Sequence, residues 1–115
     1  MTAYDISFVG ALCWNCPDLM PLLRSHLDEY EGLLPHLFMG DLTRWAVQRY
    51  HSDPSDQTLS DVLDFIESAF ANAVGVNREL VSTSFLENLP RSGEEDFEMR
   101  SLLGKALLVQ LMNIG

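Results

Sequence analysis

Hydrophobic residues recur every three or four positions along most of the chain, which is the spacing that places them on one face of an α-helix. The clearest pattern runs from about Thr58 to Val74, where Asp61, Asp64 and Glu67 lie on the face opposite the apolar one. This segment is therefore predicted to be an amphipathic helix with one side in the core. Its apolar face consists of Leu59, Val62, Leu63, Ile66, Phe70 and Ala73.

The same periodicity predicts further helices, separated by segments rich in Pro, Gly and small polar residues. The first of them has a short strand as its alternative, because its apolar pattern is less regular. The residues on the predicted core side of the second helix are Leu19, Leu22, Leu23, Leu27 and Tyr30. The predicted helices cover about residues 4–14, 18–31, 34–51, 58–74, 78–89 and 94–114.

The last predicted helix is apolar on most of its sides between Leu102 and Ile114. A surface helix carries a polar side as well, so this one is predicted either to lie at the centre of the bundle or to form half of an interface. In the second case, the apolar C-terminal helix joins two copies of the chain in a homodimer.

The fold class follows from the sequence pattern, which contains no strand-rich segment and no Gly-rich phosphate loop. Helices joined by short loops are antiparallel neighbours. We therefore predict an all-α fold of roughly five to six antiparallel helices, as a compact bundle or a short stack of helical hairpins. The length of 115 residues suits a single helical domain that spans residues 1–115.

Acidic residues outnumber basic ones, with 17 Asp and Glu against seven Lys and Arg, for a net charge of −10. Such a surface repels the phosphates of nucleic acids and of anionic lipids, so we expect no binding to nucleic acid or to a membrane. No stretch approaches the roughly 20 apolar residues that span a bilayer. Residues 1–14 also lack the basic residues that begin a signal peptide, and we expect a cytoplasmic protein.

The segment between Tyr50 and Asn77 contains no Lys or Arg and several carboxylates. One interpretation is a solvated face that keeps the protein soluble. The other is a docking surface for a basic partner protein, which an acidic field attracts. The candidate partner-binding residues are Asp53, Asp56, Asp61, Asp64 and Glu67.

Asp41 lies within the apolar sector of the helix predicted at residues 34–51, together with Arg49, and Arg44 lies one turn from Asp41. A carboxylate and a guanidinium in such positions are rarely buried alone. We expect an ion pair or a polar network that fixes the packing of the helices. The alternative is a functional pocket for a small ligand, to which His36 contributes.

Cys13 and Cys16 form a motif with a known chemistry, since two thiols at this spacing occur in zinc sites and in redox sites. A structural zinc site needs four ligands, and the sequence has no second cysteine pair. A redox motif belongs to a βαβ unit, which this sequence does not predict. We interpret both cysteines as structural or incidental, and we expect no metal ion and no cofactor.

No set of residues in the sequence indicates catalysis. His26, His36 and His51 are scattered along the chain and are interpreted as ordinary surface or partly buried residues. The hydroxyl groups at residues 82–84 have no base nearby in the sequence that would activate them. We therefore expect a protein that is not an enzyme.

Two segments carry a resemblance when they are read together, namely LLPHLFMGDLTRW at residues 33–45 and VSTSFLENLP at residues 81–90. The chain resembles a family of small, acidic, uncharacterised bacterial proteins that are all-helical and have no established activity. Such small proteins are often suspected of being immunity proteins that neutralise a toxin, and the resemblance implies this function by association alone. The matching residues, which hold the fold or carry function, are Pro35, His36, Gly40, Asp41, Arg44, Phe85, Glu87 and Asn88.

The sequence thus favours a non-catalytic protein-binding module, of which an immunity-type inhibitor of a basic partner is the most specific form. The second hypothesis is a structural or assembly protein that forms a homodimer through the apolar C-terminal helix. The third is an enzyme or a small-ligand-binding protein that uses a pocket around Asp41, Arg44 and His36.

Overall fold

The computed structural model describes residues 3–72 and 78–114. Within these ranges the regular structure is entirely helical, which confirms the all-α prediction and shows that the first segment is a helix and not a strand. In the same ranges, short 3-10 segments at Pro17–Leu19, Leu86–Asn88 and Phe97–Leu102 lie between the α-helices. The α-helices are α1 (Ala3–Asn15), α2 (Met20–Tyr30), α3 (Pro35–Ser52), α4 (Gln57–Asn72), α5 (Arg78–Ser84) and α6 (Lys105–Ile114).

α3 is the helix around which the others are arranged, because it packs against α1, α2, α4 and α5. Its side chains Phe38, Met39, Leu42 and Ala46 are fully buried. A fully buried large apolar side chain contributes about 1.5 to 3 kcal/mol to the free energy of unfolding. The core is therefore built on the middle of the chain.

α4 has the apolar face that the sequence predicts, since each described member of that face is buried. Ala73, the last predicted member, lies outside the described residues. On the opposite face, Asp61 and Asp64 are exposed, whereas Glu67 is half-buried. The predicted polar face is thus correct at two of its three carboxylates and wrong at the third.

α6 is not the central helix of the bundle. It packs against α4 and α5 through Leu107 and Leu111, which are buried, while Val109 and Met112 are exposed. One side of α6 therefore covers the core, and the other side carries apolar residues that no part of the described chain covers. That this outer side forms a homodimer interface stays a prediction.

The helix predicted at residues 94–114 is interrupted at Gly104, so that a 3-10 segment precedes α6. A Cβ atom at position 104 would lie 2.4 Å from the Cδ atom of Glu67, so the Glu67 side chain would have to move to accommodate any other residue here. The two carboxylate oxygens of Glu67 accept the backbone N–H groups of Ala106 and Leu107, each at 3.0 Å. These N–H groups belong to the first turn of α6 and have no acceptor within that helix. Glu67 therefore caps α6.

α2 buries a residue that the sequence did not place in the core. His26 is fully buried, whereas Leu27 and Tyr30, which were predicted on the core side, are exposed. The predicted core side is correct at Leu19, which is buried, and at Leu22 and Leu23, which pack against the core, and it is wrong only toward the end of the helix. The buried polar ring of His26 needs hydrogen-bond partners inside the protein.

None of the described helices is by itself long and apolar enough to cross a membrane. Tyr4–Asn15 and Pro17–Tyr30 reach the required length and composition only as a pair, and the chain bends by 112° between them.

Candidate functional site

The two segments that carry the family resemblance pack against each other. His36, at the start of α3, places its Nδ1 atom 2.5 Å from Oγ of Ser84 at the end of α5. Thr43 donates from Oγ1 to the backbone oxygen of Phe85 at 3.2 Å. These contacts tie α3 to the end of α5, so the two segments form one structural unit.

The contact between His36 and Ser84 corrects the expectation that no base lies near the hydroxyl groups at residues 82–84. A catalytic serine needs a base that a third group orients, together with space for a substrate. Ser84 is buried, and among the described residues no carboxylate forms a hydrogen bond or an ion pair with His36. We therefore interpret the pair as a link between two helices.

Asp41 connects α2 to α3 through His26. The backbone N–H of Leu34 donates to Nε2 of His26 at 3.0 Å, so this nitrogen carries no proton. Nδ1 therefore carries the ring proton and donates it to Oδ2 of Asp41 at 3.2 Å. The other oxygen of Asp41 pairs with the exposed guanidinium of Arg44. Both nitrogens of the neutral ring are thus engaged inside the protein.

The four residues predicted to share a pocket or a polar network lie in three different places. Asp41 and Arg44 form an ion pair, but His36 bonds to α5 and Arg49 pairs with a carboxylate in the loop before α4. The sequence analysis missed His26, which completes the network. The position of Asp41 in an apolar sector predicts that its carboxylate has a hydrogen-bond partner inside the protein. It does not identify His26 as that partner.

Two depressions lie on either side of Arg44 and Gln48. The smaller has a volume of about 330 Å³ and lies over His26 and Asp41. The larger, which we call the α3 cleft, has a volume of about 590 Å³ and lies between α3 and the chain that follows α5. Besides Arg44 and Gln48, the α3 cleft is lined by Gly40, Thr43, Asn88, Pro90, Glu95 and Asp96, among others.

Two of the predicted partner-binding carboxylates organise the loop before α4. Asp53 accepts the hydroxyl of Ser55 at 2.7 Å and its backbone N–H at 3.0 Å, and these two hydrogen bonds lower the pKa of Asp53. Asp56 accepts the backbone N–H of Leu59 at 3.0 Å, as an N-cap of α4 does, and lies 3.1 Å from Nε of Arg49. Both residues thus have local structural roles.

Three of the five predicted partner-binding residues, Asp53, Asp61 and Asp64, are exposed, whereas Asp56 and Glu67 are half-buried. Glu67 caps α6 and is half-buried, which removes it from the exposed face. Asp61 and Asp64 are exposed on α4, and Asp61 accepts a hydrogen bond from Nε2 of Gln57 at 2.8 Å. Asp53, Asp61 and Asp64 are thus accessible to a partner, and the role of the set in partner binding stays a prediction.

α1 presents to solvent a face that carries no charged residue, and we call this face the α1 surface. Trp14 is 85% exposed and Tyr4 is 65% exposed, whereas Asp5 is buried. The sequence analysis missed this surface, although apolar residues on both sides of a short helix indicate that the core covers only one side. The α1 surface consists of Tyr4, Ile6, Ser7, Gly10, Ala11, Trp14 and Asn15.

Two elements that pack against α1 carry exposed carboxylates. α4 packs beside α1 and carries the exposed residues Asp61 and Asp64. Asp18, in the 3-10 segment after α1, accepts a hydrogen bond from Oγ1 of Thr58 at 3.0 Å, which holds this segment against the start of α4. Three exposed carboxylates thus lie on two elements that pack against α1.

Cys13 and Cys16 are both buried and form no disulfide. Burial raises the pKa of Cys13 to about 11, and the neighbouring Cys16 contributes to the increase. Burial also raises the pKa of Cys16, with smaller contributions from the charges of Asp61 and Asp18. The thiolate is the form that binds metals and attacks disulfides, so these surroundings favour unreactive thiols.

The family model for the Domain of unknown function (DUF7674) matches residues 11–113. The chain therefore belongs to this family, which has no established activity, and the recognition of an uncharacterised helical family is confirmed. The match includes both segments that carry the resemblance. No curated protein and no solved structure matches the chain.

Proposed function

We propose that this member of the DUF7674 family is a non-catalytic protein-binding module that docks a basic partner protein through the α1 surface. The observation that carries the proposal is the 85% exposure of Trp14 on a helix face without charge. An inhibitor of the immunity type, which covers a basic toxin, is the most specific form of such a module.

The exposed aromatic residues support a docking role because they bury a large apolar area when a partner covers them. A Trp or Tyr side chain buries about 150 to 250 Å². Removal of this area from water favours binding, and the part that exceeds the costs of association contributes to affinity. Tryptophan and tyrosine also dominate the binding energy of interfaces more often than other residue types do.

The exposed acidic residues support a basic partner. Asp18, Asp61 and Asp64 are exposed on two elements that pack against α1, and we infer that they form a polar rim around the uncharged α1 surface. The net charge of −10 attracts a positively charged protein and raises the rate of encounter. The proposal therefore assigns affinity to Trp14 and Tyr4, and selectivity for a basic surface to the carboxylates.

The experiment is a capture of partners from the native lysate with the tagged chain, at low and at moderate salt. We expect one stoichiometric basic protein, which is lost with Trp14→Ala and weakened with Asp61→Asn/Asp64→Asn. Met112→Ala is the matched control, because Met112 is 79% exposed on another part of the chain. Glu94→Gln/Glu98→Gln is the control for the change in charge.

Capture that survives Trp14→Ala, or that all four variants reduce equally, would contradict the proposal. In the first case the partner binds another surface. In the second case the acidic protein attracts basic proteins without a specific site.

A second candidate function is self-assembly through α6, which the exposure of Val109 and Met112 favours. These two residues lie on the outer side of α6, and Met112 also borders a groove of about 890 Å³ next to Leu108 and Ile114. Sedimentation of the purified chain distinguishes the two functions. A dimer that Met112→Glu dissociates would establish assembly through α6, and a monomer at high concentration would exclude it.

A further inference from the structure

Three potential metal ligands from two distant parts of the chain meet beside the α3 cleft, which two of them line. His51 lies in the last turn of α3, and Glu95 and Asp96 precede the 3-10 segment at Phe97–Leu102. Nδ1 of His51 lies 3.2 Å from Oε1 of Glu95 and 3.1 Å from Oδ2 of Asp96. One ligand atom from each of the three residues lies within 4.8 Å of the other two.

The charges in this cluster are not balanced. Two carboxylates face one imidazole, and in the described part of the chain neither carboxylate forms an ion pair with Lys or Arg. The nearby guanidinium groups are engaged elsewhere, since Arg44 pairs with Asp41, and Arg49 pairs with the N-cap carboxylate of α4. A divalent cation between the three groups would neutralise the excess negative charge.

We propose that His51, Glu95 and Asp96 bind a divalent first-row transition-metal ion of the Zn²⁺ type. Zinc bonds to nitrogen and oxygen ligands are about 2.0 to 2.2 Å long, so neighbouring ligand atoms around the ion lie about 3 to 3.5 Å apart. The two measured distances from Nδ1 of His51 fall in this range. The imidazole makes Zn²⁺, Co²⁺ or Ni²⁺ the fitting ions, because Mg²⁺ and Ca²⁺ prefer oxygen ligands alone.

The position of the cluster gives the ion an open side. Glu95 and Asp96 also line the α3 cleft, together with Arg44 and Asn88. Three protein ligands leave at least one position on a tetrahedral ion for water or for an anionic group in the cleft. His51 and Glu95 are exposed, so an ion can reach the site without any opening of the fold.

The test is a calorimetric titration of the full chain with Zn²⁺ after removal of metals, with Co²⁺ absorption in the visible range as a second readout. We expect one ion per chain. Glu95→Gln and His51→Gln should each raise the dissociation constant for Zn²⁺ by at least about tenfold. Glu94→Gln is the matched control, because it removes the same charge from the adjacent exposed residue, and it should leave the dissociation constant unchanged.

Two results would overturn the proposal. Equal effects of Glu94→Gln and Glu95→Gln, or several weakly bound ions per chain, would show that the acidic surface attracts cations without a site. Displacement of Zn²⁺ by Mg²⁺ at similar concentration would show that His51 is not a ligand. The three substituted side chains are exposed, and a thermal unfolding curve for each variant verifies that the fold is retained.

Discussion

His26 and Asp41 are joined inside the protein by a hydrogen bond of 3.2 Å from Nδ1 to Oδ2, which connects α2 to α3. The same ring accepts the backbone N–H of Leu34, where the chain turns from one helix to the other. It also contacts the aromatic rings of Tyr30 and Phe38, with centroids 4.8 and 5.6 Å away. Rotation of α2 would leave these buried polar groups without partners, so the ring specifies one orientation of the helix.

Replacement of His26 by Ala should lower the free energy of unfolding by about 3 kcal/mol. The change creates a cavity and leaves the N–H of Leu34 and the carboxylate of Asp41 without their buried partner. The control is His36→Ala, which removes one hydrogen bond of an exposed ring and should lower the free energy by about 1 kcal/mol. Urea denaturation measures both. Losses of equal size would contradict the structural role of His26.

Gly104→Ala should destabilise the chain by about 2 kcal/mol, because its Cβ atom would overlap with the side chain of Glu67. Glu67→Ala removes the cap of α6 and should lower the free energy of unfolding by about 1 kcal/mol. It also removes the side-chain atoms that the added Cβ would meet. A double-mutant cycle should therefore show a smaller loss from Gly104→Ala in the Glu67→Ala background. Additive losses would mean that the two positions do not interact.

The raised pKa of Cys13 predicts a loss of stability in alkaline solution. The thiol of the unfolded chain ionises near its ordinary pKa of 9.0, and that of the folded chain near about 11. Between these values the unfolded state releases the proton first, so stability falls as the pH rises. The difference corresponds to at most about 3 kcal/mol.

Urea denaturation at neutral pH and near pH 11 measures this loss. Cys13→Ala retains the other side chains that ionise in alkaline solution. The unmodified chain should therefore lose more stability over that pH range than this variant. If both chains lose the same amount, the thiol of Cys13 ionises as readily in the folded protein as in the unfolded one.

Ser84 is expected to be inert toward a fluorophosphonate, a reagent that phosphonylates activated serine hydroxyls. Its side chain is buried, and no third group among the described residues orients the ring of His36. Intact-mass measurement after incubation should show no adduct. An adduct that disappears in Ser84→Ala would identify an activated nucleophile and would contradict the non-catalytic function.

The apolar face of α4 could be predicted from sequence because its polar and apolar residues are separated with the helical period. Leu59, Ile66 and Phe70 are buried as expected. The all-α fold follows from the same regularity along the chain. Periodicity is therefore informative wherever one side of a helix faces the core and the other side faces water.

The candidate sites depend on contacts between distant segments, which periodicity does not report. Glu67 and Asp64 have the same place in the sequence pattern, but only Glu67 reaches the start of another helix. His51 meets carboxylates 44 and 45 residues further along the chain. Trp14 lies on a helix with apolar residues on both sides, and the sequence alone does not say which side the core covers.

The most direct test of the proposed function is the affinity of the purified basic partner for the unmodified chain, for Trp14→Ala and for Met112→Ala, measured by calorimetry at two salt concentrations. For Trp14→Ala we expect a dissociation constant at least about thirtyfold higher, which corresponds to a loss of about 2 kcal/mol of binding free energy. The dissociation constant should be unchanged for Met112→Ala, and every chain should bind the partner more weakly at the higher salt concentration. An unchanged affinity of Trp14→Ala would contradict the assignment of the α1 surface as the docking site.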